Sequence, residues 1–194
     1  MNDINFCCFG FTKNIIFKLV EIEDASLILK LRSDPSLNKH LSSVEDNVEV
    51  QRNWIKKYKY REQQGIELYY IICSQDQSKQ HGVARVYDIC ENDKSCRIGS
   101  WILKPDAPKF TAIESMVSMY HGLFAILGVK IIHLDVRKDN KAVVSMHKKF
   151  GAKFLKEDDL DIYFTLTEAD FLPARKRFAR FLLPEVLTSL SLKS

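Results

Sequence analysis

Apolar residues follow two spacings along the chain, and the change from one to the other predicts its elements. Residues 15–22 are rich in β-branched and apolar side chains, which favours a strand. Residues 25–32 then place apolar side chains at helical spacing, with Asp24 as the expected cap and Pro35 as the stop. The chain is therefore expected to begin with a strand followed by a helix.

A second helix is predicted over residues 50–64. Asp46 and Glu49 fit a capping box at its start, and Gly65 suits its C-terminal end. Its apolar face carries Val50, Trp54, Ile55 and Tyr58. Two helices are thus expected directly after the first strand.

Three strand-like runs come next, at residues 68–74, 81–89 and 96–103. Short polar turns separate them, which favours an antiparallel meander. From Ala112 the apolar period becomes helical again, and Gly128 can close this helix.

The remaining core elements are a strand at 130–137, a helix from Asn140 to Gly151, and strands at 152–155 and 161–167. Along one face of this helix lie Val143, Met146, His147 and Phe150. The predicted order is β-α-α-β-β-β-α-β-α-β-β, which is an α/β (α+β) architecture.

Composition indicates one globular domain over residues 1–194, with 46% hydrophobic and 28% charged residues. A net charge of +4 is too small to indicate a nucleic-acid partner. The five cysteines show no zinc-binding spacing and are expected to be reduced, which favours a cytoplasmic protein without a metal. No apolar run is long enough for a membrane span, and the N-terminus does not resemble a signal peptide.

The tail at 168–194 combines apolar residues with a basic cluster at helical spacing. The cluster consists of Arg175, Lys176, Arg177 and Arg180. A helical extension, assigned to residues 172–194, is expected to pack on the body of the protein or on a second subunit, as in a homodimer. Binding to a membrane surface or to phosphate is the alternative.

Three segments of the chain, residues 32–42, 97–103 and 135–152, carry a family resemblance when they are taken with the order of elements. Together they resemble the GNAT acetyltransferase superfamily, and within it the branch of ribosomal-protein N-terminal acetyltransferases and nucleotide-sugar amine acetyltransferases. The resemblance covers residues 15–171. It implies a mixed, largely antiparallel sheet that splays between the fourth and fifth predicted strands, and transfer of an acetyl group from acetyl-CoA to a primary amine.

The resemblance also implies catalytic roles. Asn140 and His147 match the positions where the family has an Asn and, seven residues later, a Tyr, so Asn140 would hold the cofactor arm and His147 would protonate the thiolate. Histidine keeps a proton donor but moves the reference pKa from about 10 to about 6.5. A plain helix cap and a buried core histidine are the alternatives. Asp88 or Glu114 could accept the ammonium proton, or could be a solvated strand end and a structural carboxylate.

For acetyl-CoA, the resemblance implies that backbone N–H groups near Trp101, Ile102 and Leu103 bind the pantetheine arm. The family's phosphate loop is glycine-rich, whereas Pro108 and Phe110 stand at the glycine positions here. The phosphate ligands that remain are Lys109, Phe110, Thr111 and Ala112.

Acceptor-binding groups are expected where the family places its acceptor-binding helices. These are Arg32, Asn38, His40 and Ser42, together with Arg85 and Tyr87. Such hydrogen-bonding groups suit an amino sugar on a nucleotide, as used in surface-polysaccharide synthesis. Acetylation of a protein N-terminus and a non-catalytic GNAT-like module with a degraded CoA loop are the alternatives.

Overall fold

Eight strands form one mixed sheet in the order β1-β2-β3-β4-β5-β6-β8-β7 in the computed structural model, which describes residues 8–184 and 186. The strands are β1 (Cys8–Phe9), β2 (Ile15–Leu19), β3 (Leu68–Ser74), β4 (Gln80–Cys90), β5 (Ser95–Leu103), β6 (Ile131–Arg137), β7 (Lys153–Glu157) and β8 (Asp161–Thr167). The helices are α1 (Ala25–Ser33), α2 (Val48–Gln63), α3 (Thr111–His121), α4 (Lys141–Lys149) and α5 (Glu168–Arg177). The predicted order is confirmed, with the short strand β1 added, and α5 begins at Glu168, four residues before the predicted helical extension.

Helices cover both faces of the sheet, and β3 shows this most directly. All of its residues from Leu68 to Cys73 are buried, because alternate side chains enter different cores. Tyr70 and Ile72 pack into the core beneath α3, α4 and α5. Tyr69 and Ile71 pack into the core beneath α1 and α2.

The sheet splays between β5 and β6, which are its one parallel pair among the described strands. Their pairing runs from Ser95 opposite Ile131 to Ile98 opposite Leu134 and ends there. The second halves of both strands diverge and leave a cleft. The predicted splay is confirmed, since the fourth and fifth predicted strands are β5 and β6.

A β-bulge in β5 lies at the mouth of this cleft. Gly99 pairs with Arg85 and Ile102 with Val83, so two residues of β5 stand opposite one residue of β4. Ser100, one of those two, has a left-handed backbone with φ 48°. A bulge of this kind bends the strand and increases its local twist.

Two predicted caps differ from the structure. The carboxylate of Asp24 accepts the backbone N–H of Glu21 at 2.9 Å and does not cap α1. Helix α2 is capped by Asn47 rather than by Asp46, because Asn47 has an extended backbone and its side-chain oxygen accepts two N–H groups of the first turn. Val50 was expected on the buried face but is 42% exposed.

The C-terminal extension packs on the body as far as the structure describes it. Thr167 caps α5, and Phe171 is fully buried beneath it. The ring of Phe178 stacks on Phe150 at 5.1 Å, and Leu182 bridges to Thr12. The homodimer remains a prediction, and residues 187–194 lie outside the described part.

None of the described helices is both long and apolar enough to cross a bilayer. Within the described part of the chain, no cluster of three or more His, Cys, Asp or Glu side chains is arranged to hold a metal ion.

Candidate active site

A cavity of about 160 Å³ fills the cleft between β5 and β6, and it is called the splay cavity below. Four elements supply most of its walls, and the loop at residues 37–41 and Ala84 of β4 supply the rest. The lining residues of the four elements include Gly99, Ser100 and Trp101 from β5, Asp135, Val136 and Arg137 from β6, Met116, Met119 and Tyr120 from α3, and Val143 and His147 from α4, with Asn140 at the start of α4. The predicted pair Asn140 and His147 therefore shares one cavity, which only the splay of the sheet makes accessible.

Asn140 is the N-cap of α4, as predicted. Its side-chain oxygen accepts the backbone N–H of Val143 at 3.3 Å. The cap uses the oxygen, whereas the amide N–H groups of the same side chain are donors for another partner. Capping and ligand binding are therefore compatible in one residue.

His147 is held by a second buried residue, Tyr120 of α3. The Tyr120 hydroxyl lies 3.0 Å from Nδ1 of His147, and the histidine is only 7% exposed. Burial lowers the pKa of His147 to about 4. The imidazole is therefore neutral at physiological pH, so the reference pKa does not describe this histidine. It can still donate a hydrogen bond from Nε2.

The two candidate bases lie elsewhere in the fold. Asp88 has a left-handed backbone, and its exposed carboxylate lies 3.3 Å from Nε of Arg97. Glu114 is fully buried, and its carboxylate accepts both the backbone and the side-chain N–H of Asn14. Neither residue is among those that line the described cavities. These contacts favour the structural interpretation of both carboxylates.

Of the three predicted ligands on β5, Trp101 lines the splay cavity. The side chain of Ile102 instead packs into the core beneath α1 and α2, and Leu103 pairs with Gly82 of β4. Any role of these two residues toward a cofactor is therefore a role of their backbone.

The loop before α3 avoids the left-handed backbone that a glycine would allow and that Phe110 would make costly. Phe110 has a right-handed backbone (φ −73°, ψ −21°) and no side-chain cap bond, and the N–H of Thr111 donates to the carbonyl of Pro108 at 2.8 Å. The first-turn amides of Ala112 and Ile113 lie too early in the helix for an intrahelical acceptor. The start of α3 can thus bind an anion without glycines, with Lys109 one residue before the cap.

A second cavity, of about 410 Å³, lies on the side of α1 and α2, and it is called the acceptor cavity below. Its lining includes Arg32, Ser42, Glu45, Trp54, Tyr69 and Arg85. Ser100 lines both cavities. The left-handed residue of the bulge is therefore the point where the two cavities meet.

Arg32 fixes the wall between the cavities. Its guanidinium donates to the Ser100 hydroxyl and to the Ser42 carbonyl, both at 3.2 Å. Beside it, burial raises the pKa of Tyr69 to about 12, although the positive charges of Arg32 and Arg85 act in the opposite direction. The Tyr69 hydroxyl therefore remains a neutral donor at physiological pH.

Arg85 is held in place by a buried carboxylate and two aromatic rings. Its Nε donates to Glu67 at 2.6 Å, while Nε of Arg61 donates to the other oxygen of Glu67 at 2.5 Å. Burial alone would raise the pKa of Glu67, but the two guanidinium groups outweigh it and hold the pKa below its usual value. The Arg85 guanidinium also lies 5.2 Å from the ring of Trp54 and 4.9 Å from that of Tyr87.

The other predicted acceptor ligands are dispersed. His40 lines the splay cavity, and its Nδ1 lies 3.0 Å from a carboxylate oxygen of Asp139. Asn38 lies outside the linings of both cavities, and its carbonyl accepts the N–H of Leu41 in a turn. The Tyr87 hydroxyl lies 3.5 Å from Asp135, and burial raises its pKa to about 12.

Sequence reasoning did not identify Trp54, Tyr69, Ser100 and Tyr120 as site residues. Trp54 and Tyr120 stand on helical apolar stripes, where an aromatic residue is expected in the core. Tyr69 stands in a continuous apolar strand. Only Ser100 could have been identified from the sequence, because Gly99 before it lies inside a strand pattern, and a glycine there is typical of a β-bulge.

Comparisons with known proteins agree with this geometry. The family model described as an acetyltransferase (GNAT) domain matches residues 14–153. Among solved structures, the apo form of FdhC, a nucleotide-linked sugar GNAT, is 37% identical, with a TM-score of 0.81 over 90% of this chain and 98% of its own. No curated protein matches the chain.

More distant structures share the fold alone. RimJ of Mycobacterium smegmatis, in complex with CoA-disulfide, is 13% identical, with a TM-score of 0.70 over 84% of this chain and 88% of its own. A mutant form of the spermidine N-acetyltransferase SpeG of Vibrio cholerae is 15% identical, with a TM-score of 0.67 over 82% of this chain and 97% of its own. The family model and the splayed sheet together place this chain in the GNAT family, as an acyl-CoA-dependent N-acetyltransferase.

Proposed function

We propose that the protein transfers the acetyl group of acetyl-CoA to the amino group of a sugar carried on a nucleotide. The observation that supports this acceptor is the acceptor cavity, which presents Arg32, Arg85 and the Tyr69 hydroxyl and meets the splay cavity at Ser100. The 37% identity to a nucleotide-linked sugar GNAT points to the same class. Such a reaction would serve surface-polysaccharide synthesis, as the resemblance implies.

The residues of the splay cavity fit the arm of acetyl-CoA. The diverging strands leave the backbone edge of β5 unpaired with β6 beyond Ile98, so its N–H groups are available as donors. Asn140 would bind the arm through its side-chain amide. At the outer end, the start of α3 with Lys109 would face the phosphates. Bound acetyl-CoA supplies the thioester that is attacked.

The acceptor cavity suits an anionic ligand that carries hydroxyl groups. The Arg32 and Arg85 guanidinium groups match phosphate oxygens, and Glu67 together with the Trp54 ring holds Arg85 in one orientation. Glu45 in the same wall can accept sugar hydroxyls. An amine held at Ser100 would stand at the junction with the splay cavity.

In the reaction, the amine nitrogen bonds to the thioester carbonyl carbon, the C–S bond breaks, and the proton lost by the amine ends on sulfur. Donors at the β5 bulge would stabilise the developing oxyanion. Nε2–H of His147 would donate a hydrogen bond to the departing sulfur. Before the attack, His40 in the same cavity would accept the ammonium proton and release it to solvent, and the second proton of the amine is the one that ends on sulfur.

The test measures CoA thiol release with acetyl-CoA and three acceptor sets: nucleotide-linked amino sugars, free amino sugars, and peptides with a free N-terminus. We expect turnover with the nucleotide-linked sugars. Equal or greater turnover with peptides would favour the N-terminal acetyltransferase instead. Absence of thiol release, with no CoA binding by calorimetry, would indicate a non-catalytic module.

Single substitutions test which residues bind the acceptor and which act in catalysis. Arg32→Gln is expected to raise KM for the nucleotide-linked acceptor, and His147→Phe to lower kcat. Arg52→Gln is the matched control, because Arg52 is an exposed arginine on α2 that pairs with Glu49 outside the acceptor cavity. An effect of Arg52→Gln equal to that of Arg32→Gln would contradict the assigned binding site.

A further inference from the structure

A buried tyrosine–histidine pair forms part of the wall of the splay cavity. Tyr120 on α3 is 1% exposed and His147 on α4 is 7% exposed, and both line the cavity. The rings of Phe150 and Phe171 contact the Tyr120 ring edge-on at 5.8 and 5.5 Å. The hydroxyl is thereby held toward Nδ1 of His147.

The chemistry of the two groups decides which one donates. Burial raises the pKa of Tyr120, so the phenol keeps its proton at physiological pH. Burial also keeps the imidazole neutral, so one ring nitrogen is protonated and the other carries a lone pair. A phenol is a stronger acid than a neutral imidazole N–H, and it therefore donates to Nδ1. The imidazole proton is then on Nε2.

We propose that Tyr120 is a positioning residue, which holds His147 as the Nε2–H tautomer with Nε2 presented to the splay cavity. This inference rests on the proposed catalytic role of His147. Nδ1 is occupied by Tyr120, so Nε2 is the ring nitrogen left for a substrate. A sulfur atom that gains negative charge would then meet an N–H donor rather than a lone pair.

The tyrosine also gives a physical reason why histidine can stand at this position. A phenol always carries a donor proton, whereas a neutral imidazole carries its proton on either nitrogen. Without Tyr120, part of the His147 population would direct a lone pair at the departing sulfur. With Tyr120, the histidine behaves as a neutral single donor, as a phenol does.

Several titratable groups face this pair and must be considered in any pH experiment. Cys96 of β5 acts on Tyr120 from outside the cavity lining, and burial raises its pKa to about 12. The titratable groups of the lining itself are Asp135, Arg137 and His40. Cys96 remains a neutral thiol across the physiological range. Asp135 is paired with Arg97 and Arg137 with Asp161, so each of these charges has an opposite charge beside it.

The test combines ¹⁵N NMR of histidine-labelled protein with kinetics of Tyr120→Phe. In the wild type we expect the His147 proton on Nε2. In Tyr120→Phe we expect a mixture of tautomers, with kcat lowered in proportion to the fraction of His147 that loses the Nε2 proton, about two-fold for an equal mixture, and with KM for both substrates unchanged. The phenylalanine keeps the packing against Phe150 and Phe171, so the variant is expected to fold.

Ser118→Ala is the matched control, because it removes another buried hydroxyl from α3, one that accepts the backbone N–H of Phe11 at 3.2 Å and lies outside the linings of both cavities. It should destabilise the fold without changing the His147 tautomer or kcat. A wild-type proton on Nδ1, or an unchanged tautomer and kcat in Tyr120→Phe, would overturn the inference. If the tautomer is fixed as expected but His147→Phe keeps full activity, the proposed role of His147 fails while the tautomer assignment stands.

Discussion

Wild-type protein should lose stability in acid because of His147, and replacing His147 by Gln should remove that part of the loss. An ordinary histidine has a pKa of about 6.5, and burial lowers that of His147 to about 4. As pH falls through 6.5, the unfolded chain binds a proton at this position, whereas the folded protein does not until about pH 4. The free energy of unfolding therefore falls progressively as the pH drops from about 6.5 to about 4, by up to about 3 kcal/mol in total.

Urea unfolding at pH 7 and at pH 4.5 measures the effect. Other groups also titrate between these values, so the quantity that matters is the difference between variant and wild type. The wild type should lose about 2.5 kcal/mol more than His147→Gln over this interval. Glutamine has no titration of its own, and its side-chain oxygen can still accept the Tyr120 hydroxyl. Equal losses in the two proteins would refute the assignment of a buried neutral imidazole.

Three further substitutions test other parts of the structure. Glu67→Gln should cost about 2 kcal/mol in urea unfolding and raise KM for the acceptor, because it removes the carboxylate that holds two guanidinium groups. Gly151→Ala should cost about 3 kcal/mol or more in thermal unfolding, since φ is 99° and a Cβ would lie 2.1 Å from the Asp170 carbonyl oxygen. Its control, Gly65→Ala, should cost about 1–2 kcal/mol, because φ is 70° but the space is open. Asn140→Ala should lower stability by about 1 kcal/mol and weaken CoA binding measured by calorimetry, whereas a cap alone would affect only stability.

The local pattern of the chain was sufficient for the order of elements. The apolar run of β3 predicted a strand, and the helical spacing of apolar residues in α3 predicted a helix. Asn140 as a cap and Gly65 and Gly128 as helix ends were also readable, because each depends on a few neighbouring residues. The spacing of Asn140 and His147 placed two candidate residues on one helix.

Local sequence patterns were less reliable in predicting which residue caps a helix and which carboxylate acts as a base. Asp46 and Asn47 are both good caps, and only the extended backbone at Asn47 decided between them. Asp88 and Glu114 satisfied a chemical requirement for a base, but their partners, Arg97 and Asn14, lie on other elements.

The sequence alone determined the elements, their order and the family, because periodicity, caps and spacing are properties of neighbouring residues. Only the tertiary structure decided the site. Tyr120 and His147 are 27 positions apart, and Arg32 and Ser100 are 68 apart. Burial of His147 beside Tyr120 lowers its pKa to about 4, and Ser100 in the bulge of β5 lines both cavities. Burial, dielectric environment and the divergence of two strands depend on distant contacts, which no local pattern records.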